Sequence, residues 1–319
     1  MWATLDDVFR LDEKLVNMQE GHDRPGDRPN AWLNECRHRV TSQNGEDGIL
    51  AKALEVIGRT DQWCVEFGGW DGMHCSNTYS LIKDKGYRGI YIEGHPGRFE
   101  TLRKNFADND RVIPIKAWVG FEREDGLDAI LRGTPIPRDF DVLSVDIDGN
   151  DYHVWQAVRE YKPKLVVIEY NATIPDEVEF IQPRDLSVTQ GTSLLSMTKL
   201  AKDKGYELIA TTRCNAIFVD SQYFGRFGIR DNSPAALRTD RSVVTHVFFG
   251  YDGSVFVRGY GRSPWHSIPL HESKIQILPR WARKRFGPQN PITRVLGKKL
   301  RRFRKQDDGR TGSDLHEVD

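Results

Sequence analysis

Carboxylates stand at the ends of short apolar runs in this chain, and glycines follow most of them. Val65-Glu66-Phe67-Gly68-Gly69-Trp70-Asp71-Gly72 sets an acid before a glycine-rich stretch, and Tyr91-Ile92-Glu93-Gly94 repeats the acid–glycine step. Asp146-Ile147-Asp148-Gly149 carries two acids two positions apart, and Glu169-Tyr170-Asn171 adds an acid and an amide. Such groups accept hydrogen bonds from hydroxyls, attract a cation, ligate a hard metal ion or act as a base. Glycines let the backbone pass close to a bound molecule. His153 follows Asp148-Gly149 closely, and an imidazole of ordinary pKa, about 6.5, is a candidate general base. His74 and His95 are weaker candidates of the same kind.

The elements that must position these residues alternate. Apolar runs predict strands over 62–67, 88–92, 112–119, 141–147 and 164–170. Helical patterns fall between them over 76–85, 97–105, 126–132 and 151–161, with a further helix over 193–204. Alternation of this kind predicts a mostly parallel sheet covered on both faces. The last two strands, 206–211 and 216–220, are separated by only four residues. A parallel crossover needs a dozen or more, so this pair must be an antiparallel hairpin. The expected fold is α/β and Rossmann-like, with five parallel strands and a terminal antiparallel hairpin pair. In open sheets of this class ligands bind beyond the carboxyl ends of the strands, where the acids fall.

A dinucleotide loop is the familiar reading of glycines after a first strand. G-x-G-x-x-G begun at Gly68 meets Trp70 and Met73 where glycines belong, and Glu66 would repel a pyrophosphate. The same acid would attract a cationic amino-acid group, and Glu93 stands where a carboxylate can accept both hydroxyls of a ribose. That combination suits S-adenosylmethionine, which carries an ammonium, a sulfonium and a ribose but no phosphate. Trp118, in Lys116-Ala117-Trp118-Val119-Gly120, either stacks on an adenine or belongs to the core. The alternative for the whole motif is a glycine-rich turn with two solvated acids.

Three strings resemble the FkbM-type branch of the class I S-adenosylmethionine-dependent methyltransferases: Ser42-Gln43-Asn44-Gly45-Glu46-Asp47, the 65–72 stretch quoted above, and Ser144-Val145-Asp146-Ile147-Asp148-Gly149-Asn150-Asp151-Tyr152. The resemblance covers residues 41–222. It implies methyl transfer to a hydroxyl, commonly on a sugar or a sugar-bearing natural product. It further implies that Glu66, Gly68, Gly72 and Glu93 line the cofactor, with Gln43 near its amino-acid end. The loop departs from the superfamily's commoner G-x-G-x-G by carrying Trp70.

Asp146 and Asp148 would point the same way in a continuing strand. Neighbouring strands lie about 4.8 Å apart, so Asp146, Glu169 and Asn171 can converge on one hard cation such as Mg2+. The layout is similar to that of metal-dependent catechol-type O-methyltransferases, but Gly149 stands where those carry a lysine and Tyr170 separates Glu169 from Asn171. In the other reading Asp146 caps the next helix and contacts the cofactor, and Glu169 is polar lining. Without metal, His153 or Asp148 takes the hydroxyl proton.

Composition sets the boundaries. Of 319 residues, 38% are hydrophobic and 29% charged, too apolar for wholesale disorder. No stretch approaches the length of a membrane span, and residues 1–7 show no secretory signal pattern. Four cysteines without a CxxC pair argue against a disulfide framework, so a cytoplasmic protein is expected. The expected domains are 1–40, a helical extension (4–19) and linker; 41–222, the cofactor-binding domain; 223–273, an extension with a β-hairpin over 243–249 and 254–260; and 274–319, a basic tail. Residues 274–306 hold twelve Lys/Arg and no acid, and 307–319 hold five acids and one Arg. Positions 1–273 therefore keep 33 basic and 41 acidic residues, a net charge of −8. The expected partners are a sugar-bearing small molecule or lipid-linked glycan, with peripheral contact to an anionic membrane through 274–305 at its inner face. The acidic body argues against nucleic acid, and a homodimer through the hairpin stays open. Two rival functions remain: an NAD-type oxidoreductase, and a non-catalytic glycan-binding protein on the same fold.

Overall fold

The computed structural model describes residues 29–58, 60–263, 266–276 and 279. The expected helix over 4–19 and the basic tail from 280 onward lie outside the described residues. The chain divides into two compact units, Met1–Arg241 and Ser242–Asp319.

The first unit is built on a seven-stranded sheet: β1 (Trp63–Phe67), β2 (Arg88–Glu93), β3 (Val112–Lys116), β4 (Val142–Val145), β5 (Leu165–Glu169), β6 (Tyr206–Thr211) and β7 (Asn215–Asp220). Their order across the sheet is β3-β2-β1-β4-β5-β7-β6. β1 to β5 are parallel, and β6 and β7 form the expected antiparallel hairpin. β7 is the strand that inserts beside β5, so β6 runs with the first five and β7 alone is reversed. Because the sheet is covered, its strands carry near-continuous apolar runs; β4 and β7 are buried at every position.

Register decides which residues share a row. Phe67 pairs with Ile92 and Val145, and Val145 with Ile168. One position further on, the row reads Glu93, Gly68, Asp146, Glu169, and Asn215 of β7 pairs with Glu169. Lys116 of β3 pairs with Glu93 and closes the row on the other side. Glu66 lies two positions back from Gly68, paired with Tyr91 and Ser144. Alternation along a strand therefore points Glu66 to the same face as Glu93, one step deeper in the sheet.

Several elements stop earlier than the sequence pattern. β3 ends at Lys116 rather than at residue 119, which leaves Trp118 outside the ladder. β4 ends at Val145 rather than at 147, because Asp151 accepts from Ile147 N and Gly149 N, both at 2.9 Å, and bends the chain into a turn. In that turn Asp148 has φ +58° and Gly149 φ +155°. The helix Asp151–Ala157 stops four residues short of 161, where Arg159 N and Glu160 N leave it to donate to Asp128 Oδ2.

Residues 223–241, grouped in the sequence reading with the later hairpin, fold with the first unit. Trp32 Nε1 donates to the Phe227 carbonyl and Asn34 Nδ2 to that of Leu237, and both acceptor residues are buried. The second unit contains the hairpin β8 (Thr245–Phe249) and β9 (Val255–Gly259) and a short helix, Glu272–Ile275.

Candidate functional site

The loop after β1 explains why glycine is needed there. Gly68 has φ +79°, and a Cβ on it would sit 1.7 Å from the Asp146 carbonyl oxygen. Gly72 has φ +78°, and a Cβ there would meet Leu102 and Phe106 at 2.5 Å. The backbone thus turns tightly between the tips of β1 and β4. Trp70 sits in the same loop at φ +54°, an uncommon conformation for a bulky residue, with the Arg98 guanidinium over its ring.

Glu66 is satisfied within the chain. Its carboxylate is buried and accepts from Ser76 Oγ at 2.6 Å, Asn77 N at 2.9 Å, Thr78 N at 3.2 Å and Thr78 Oγ1 at 2.5 Å. Burial holds its pKa above the ordinary carboxylate value despite these donors. The expected counter-ion for a cationic amino-acid group is instead a strut that fixes the 76–78 segment at the start of the helix Tyr79–Lys85. The reason is the 76–78 segment itself, whose hydroxyls reach both this carboxylate and the neighbouring Tyr91 hydroxyl.

Glu93 keeps its expected place. Its Oε1 accepts from His95 N at 2.6 Å, and its Oε2 has no hydrogen-bond partner among the described residues. Next to it, a Cβ on Gly94 would lie 2.2 Å from the Trp118 ring. Trp118 is 72% exposed, so it is not core; its indole covers the backbone beside Glu93. An open carboxylate oxygen next to an exposed indole is an arrangement that can hold a ribose and an adenine. His95 caps the helix Pro96–Asn105 through Nδ1 and is thereby removed as a base.

At the other end of the row, oxygens of Asp146, Asp148 and Glu169 lie within 4.8 Å of one another. None of the three carboxylates has a hydrogen-bond donor among the described residues. Burial first, then the charges of Asp151 and Asp148, push the Asp146 carboxyl well above its ordinary range. Burial and then Asp146 do the same to Glu169. Like charges this close cannot all persist without a shared proton or a bound cation. Hard oxygen donors in this number suit a divalent cation. Beside them, Asn215, the register partner of Glu169, carries a buried Oδ1 without a partner.

Asn171 is not a member of this cluster. Its Oδ1 accepts from Thr173 N at 3.0 Å and Thr173 Oγ1 at 2.6 Å, and its Nδ2 donates to the Gln190 carbonyl at 2.8 Å. Asp148 takes the place expected for it. The signal was the two-residue spacing of the acids, but the turn, not a continuing strand, brings them together.

His153 is 8% exposed, with Nε2 at 2.9 Å from the Gln182 carbonyl and its ring packed against Phe121 and Tyr152. A carbonyl accepts only, so Nε2 carries the proton and holds the 172–192 segment to the helix. His153 anchors that segment and does not stand among the carboxylates. His74 packs against Trp70 in the β1 loop.

The string 42–47 turns out to be self-supporting. Asp47 accepts from Val40 N, Thr41 N, Ser42 N and Ser42 Oγ at 2.6–3.0 Å. Glu46, fully buried and not singled out from the sequence, accepts from Asn44 N at 2.8 Å, Thr212 Oγ1 at 2.6 Å and Asn215 Nδ2 at 2.9 Å. These bonds tie the loop to the carboxyl end of the sheet and leave Gln43 exposed at its tip. Burial first, then the charges of Glu169, Glu46 and Asp146, raise the Cys214 thiol pKa.

No family model and no curated protein matches the chain. Among solved structures, it is similar to the N-terminal domain of EvdMO1, crystallised with S-adenosylhomocysteine and D-fucose, at 14% identity and a TM-score of 0.39, over 66% of this chain and 96% of that one. It is similar at 13% identity and a TM-score of 0.37 to a putative O-methyltransferase from Klebsiella pneumoniae, with the same coverages. A S-adenosylmethionine-dependent methyltransferase from Aquifex aeolicus gives 11% identity and a TM-score of 0.34, over 53% of this chain and 88% of that one. At these values the likenesses carry no weight of their own.

Proposed function

We propose that this chain is a S-adenosylmethionine-dependent O-methyltransferase acting on a hydroxyl of a sugar or glycan, of the FkbM type. The observation that carries the reading is the row at the carboxyl edge of the sheet, with an open ribose-type acid at one end and a donor-free carboxylate cluster at the other. Bound S-adenosylmethionine would supply an electrophilic methyl group on a sulfonium. Glu93 Oε2 would accept from its ribose, Trp118 would cover its adenine, and the Gly68–Gly72 turn would give the backbone its close approach. Gln43 is exposed at the tip of the 42–47 loop, whose next residue, Asn44, donates to Cys214 Sγ at 3.4 Å.

The acceptor hydroxyl must lose a proton as its oxygen is methylated. Asp146 and Glu169, whose burial and mutual charge hold their carboxyls above the ordinary carboxylate range, are stronger bases than exposed carboxylates. Asp146, Asp148 and Glu169 also fit a divalent cation, which would lower the pKa of a bound hydroxyl. Alignment of the hydroxyl supplies much of the remaining acceleration. A hydroxyl-rich acceptor is supported by the 172–192 segment, which exposes Val178, Phe180, Ile181 and Leu186 beside Glu177 and Glu179. Apolar faces and carboxylates together match the two sides of a pyranose.

The test is transfer of labelled methyl from S-adenosylmethionine to nucleotide- and lipid-linked sugars, with and without EDTA. Methylation abolished by EDTA and restored by Mg2+ assigns the cluster to a cation; EDTA-insensitive methylation assigns it to proton transfer. Absence of cofactor-dependent labelling across sugars, phenols and peptides, with the protein folded, would remove the reading.

A further inference from the structure

The two edges of the small hairpin are treated differently. On β9 the outward N–H of Val257 donates to Glu272 Oε1 at 3.0 Å and that of Val255 to Gln276 Oε1 at 3.2 Å, while Gln276 Nε2 returns a bond to the Val255 carbonyl at 2.8 Å. Side chains of the Glu272–Ile275 region thus close that edge. The same ladder turns the N–H and C=O groups of Thr245, Val247 and Phe249 outward on β8, and these have no partner among the described residues. β8 is also apolar and open to solvent: Val247, Phe248 and Phe249 are exposed, the last at 69%, and Tyr251 in the turn is fully exposed. Ile268, Leu270 and Ile275 of the same unit are exposed as well. A patch of this kind marks an interaction surface.

We propose that this unit docks on an anionic lipid surface, with Val247 and Phe249, which share a face of β8, and Tyr251 in the turn entering the interface and the following basic stretch meeting the headgroups. The charge supports this occupant. Residues 274–306 carry twelve Lys/Arg and no acid, interleaved with apolar residues such as Trp281, Phe286 and Phe303. Aromatic side chains beside a run of cations are the combination that holds proteins at a membrane–water interface. A second copy pairing through β8 would satisfy the open edge but would bring two such cationic runs together. A nucleic acid would answer the cations and leave the aromatic patch unused. Among the described residues no helix is long and apolar enough to cross a membrane, so the contact is peripheral.

The experiment is vesicle co-sedimentation of the full chain, with phosphatidylcholine vesicles against vesicles that also contain phosphatidylglycerol. The expected result is binding to the anionic vesicles, weakened by salt at about 0.5 M, and weakened about tenfold or more in a V247S/F249S variant. Because that change touches a strand, Tyr251→Ser in the exposed turn is the second variant, with a smaller loss expected. Binding of S-adenosylhomocysteine should be unchanged in both. Equal affinity of both variants and the parent for anionic vesicles overturns the role of the hairpin. Absence of vesicle binding, or a β8-dependent dimer in sedimentation velocity without it, overturns the proposal altogether.

Discussion

The two ends of β4 and β5 each gather acids, and they treat them in opposite ways. At the amino end Asp141 is fully buried, and Lys164 Nζ donates to it at 2.7 Å and also reaches Asp61 and the Asp139 carbonyl. Asp61 N and Gln62 N add further bonds to the same carboxylate. At the carboxyl end, Asp146 and Glu169, each five residues after Asp141 and Lys164, sit together with Asp148 of the following turn, with neither cation nor donor among the described residues. A satisfied buried charge network fixes a fold, whereas an unsatisfied one stores a demand for a ligand. The same pair of strands therefore separates structure from chemistry by end.

Breaking each end should give opposite results. Lys164→Met leaves Asp141 buried without its cation and should cost about 3–5 kcal/mol of stability, read by denaturant unfolding. Little loss there would mean the amino-end network is ornamental. Glu66→Gln should cost about 1–3 kcal/mol, because it disturbs a carboxylate with four donors. If Glu66 were instead a cofactor counter-ion, the variant would keep its stability and lose affinity for S-adenosylhomocysteine.

Asp146→Asn is the counterpart at the carboxyl end. Stability should hold or rise by up to about 1 kcal/mol, since a like-charge contact is relieved, while methyl transfer should fall by at least about a hundredfold. A large loss of stability would place Asp146 in the same structural class as Asp141.

The smallest effect is expected in the alkaline limb of wild-type stability. Burial pulls the Lys164 pKa down, but its bonds to Asp141 and Asp61 outweigh that and raise it above the ordinary 10.5. A group whose pKa is raised by folding binds its proton more tightly in the folded state. Its contribution is full below 10.5 and is lost as pH climbs through the raised value. Thermal unfolding across that range should show a decline that the Lys164→Met variant lacks.

Much of the sheet was legible because its strands are buried and short. Continuous apolar runs at 63–67, 142–145 and 165–169 leave few other placements, and a four-residue gap forces the β6–β7 hairpin. The row of acids was partly legible for the same reason, as Glu93, Asp146 and Glu169 each end a strand. Sequence could not supply register. Glu66 lies two positions back from the row of Glu93 and Asp146, where the 76–78 donors take it. Nor could spacing tell that Asp151 would bend the chain after β4 and draw Asp148 into the cluster, or that Thr173 and Gln190 would occupy Asn171. That His153 Nε2 would hold the Gln182 carbonyl could not be read either, because that partner lies twenty-nine residues away in the chain.

The central claim, that the carboxyl edge of the sheet is built for an adenosyl sulfonium cofactor, is tested most directly by calorimetric titration of S-adenosylhomocysteine into wild type and Glu93→Ala. The account predicts binding by the wild type, none of NADH under the same conditions, and a loss of about 1–3 kcal/mol in the variant. Unchanged affinity in Glu93→Ala, or preference for NADH, would contradict it.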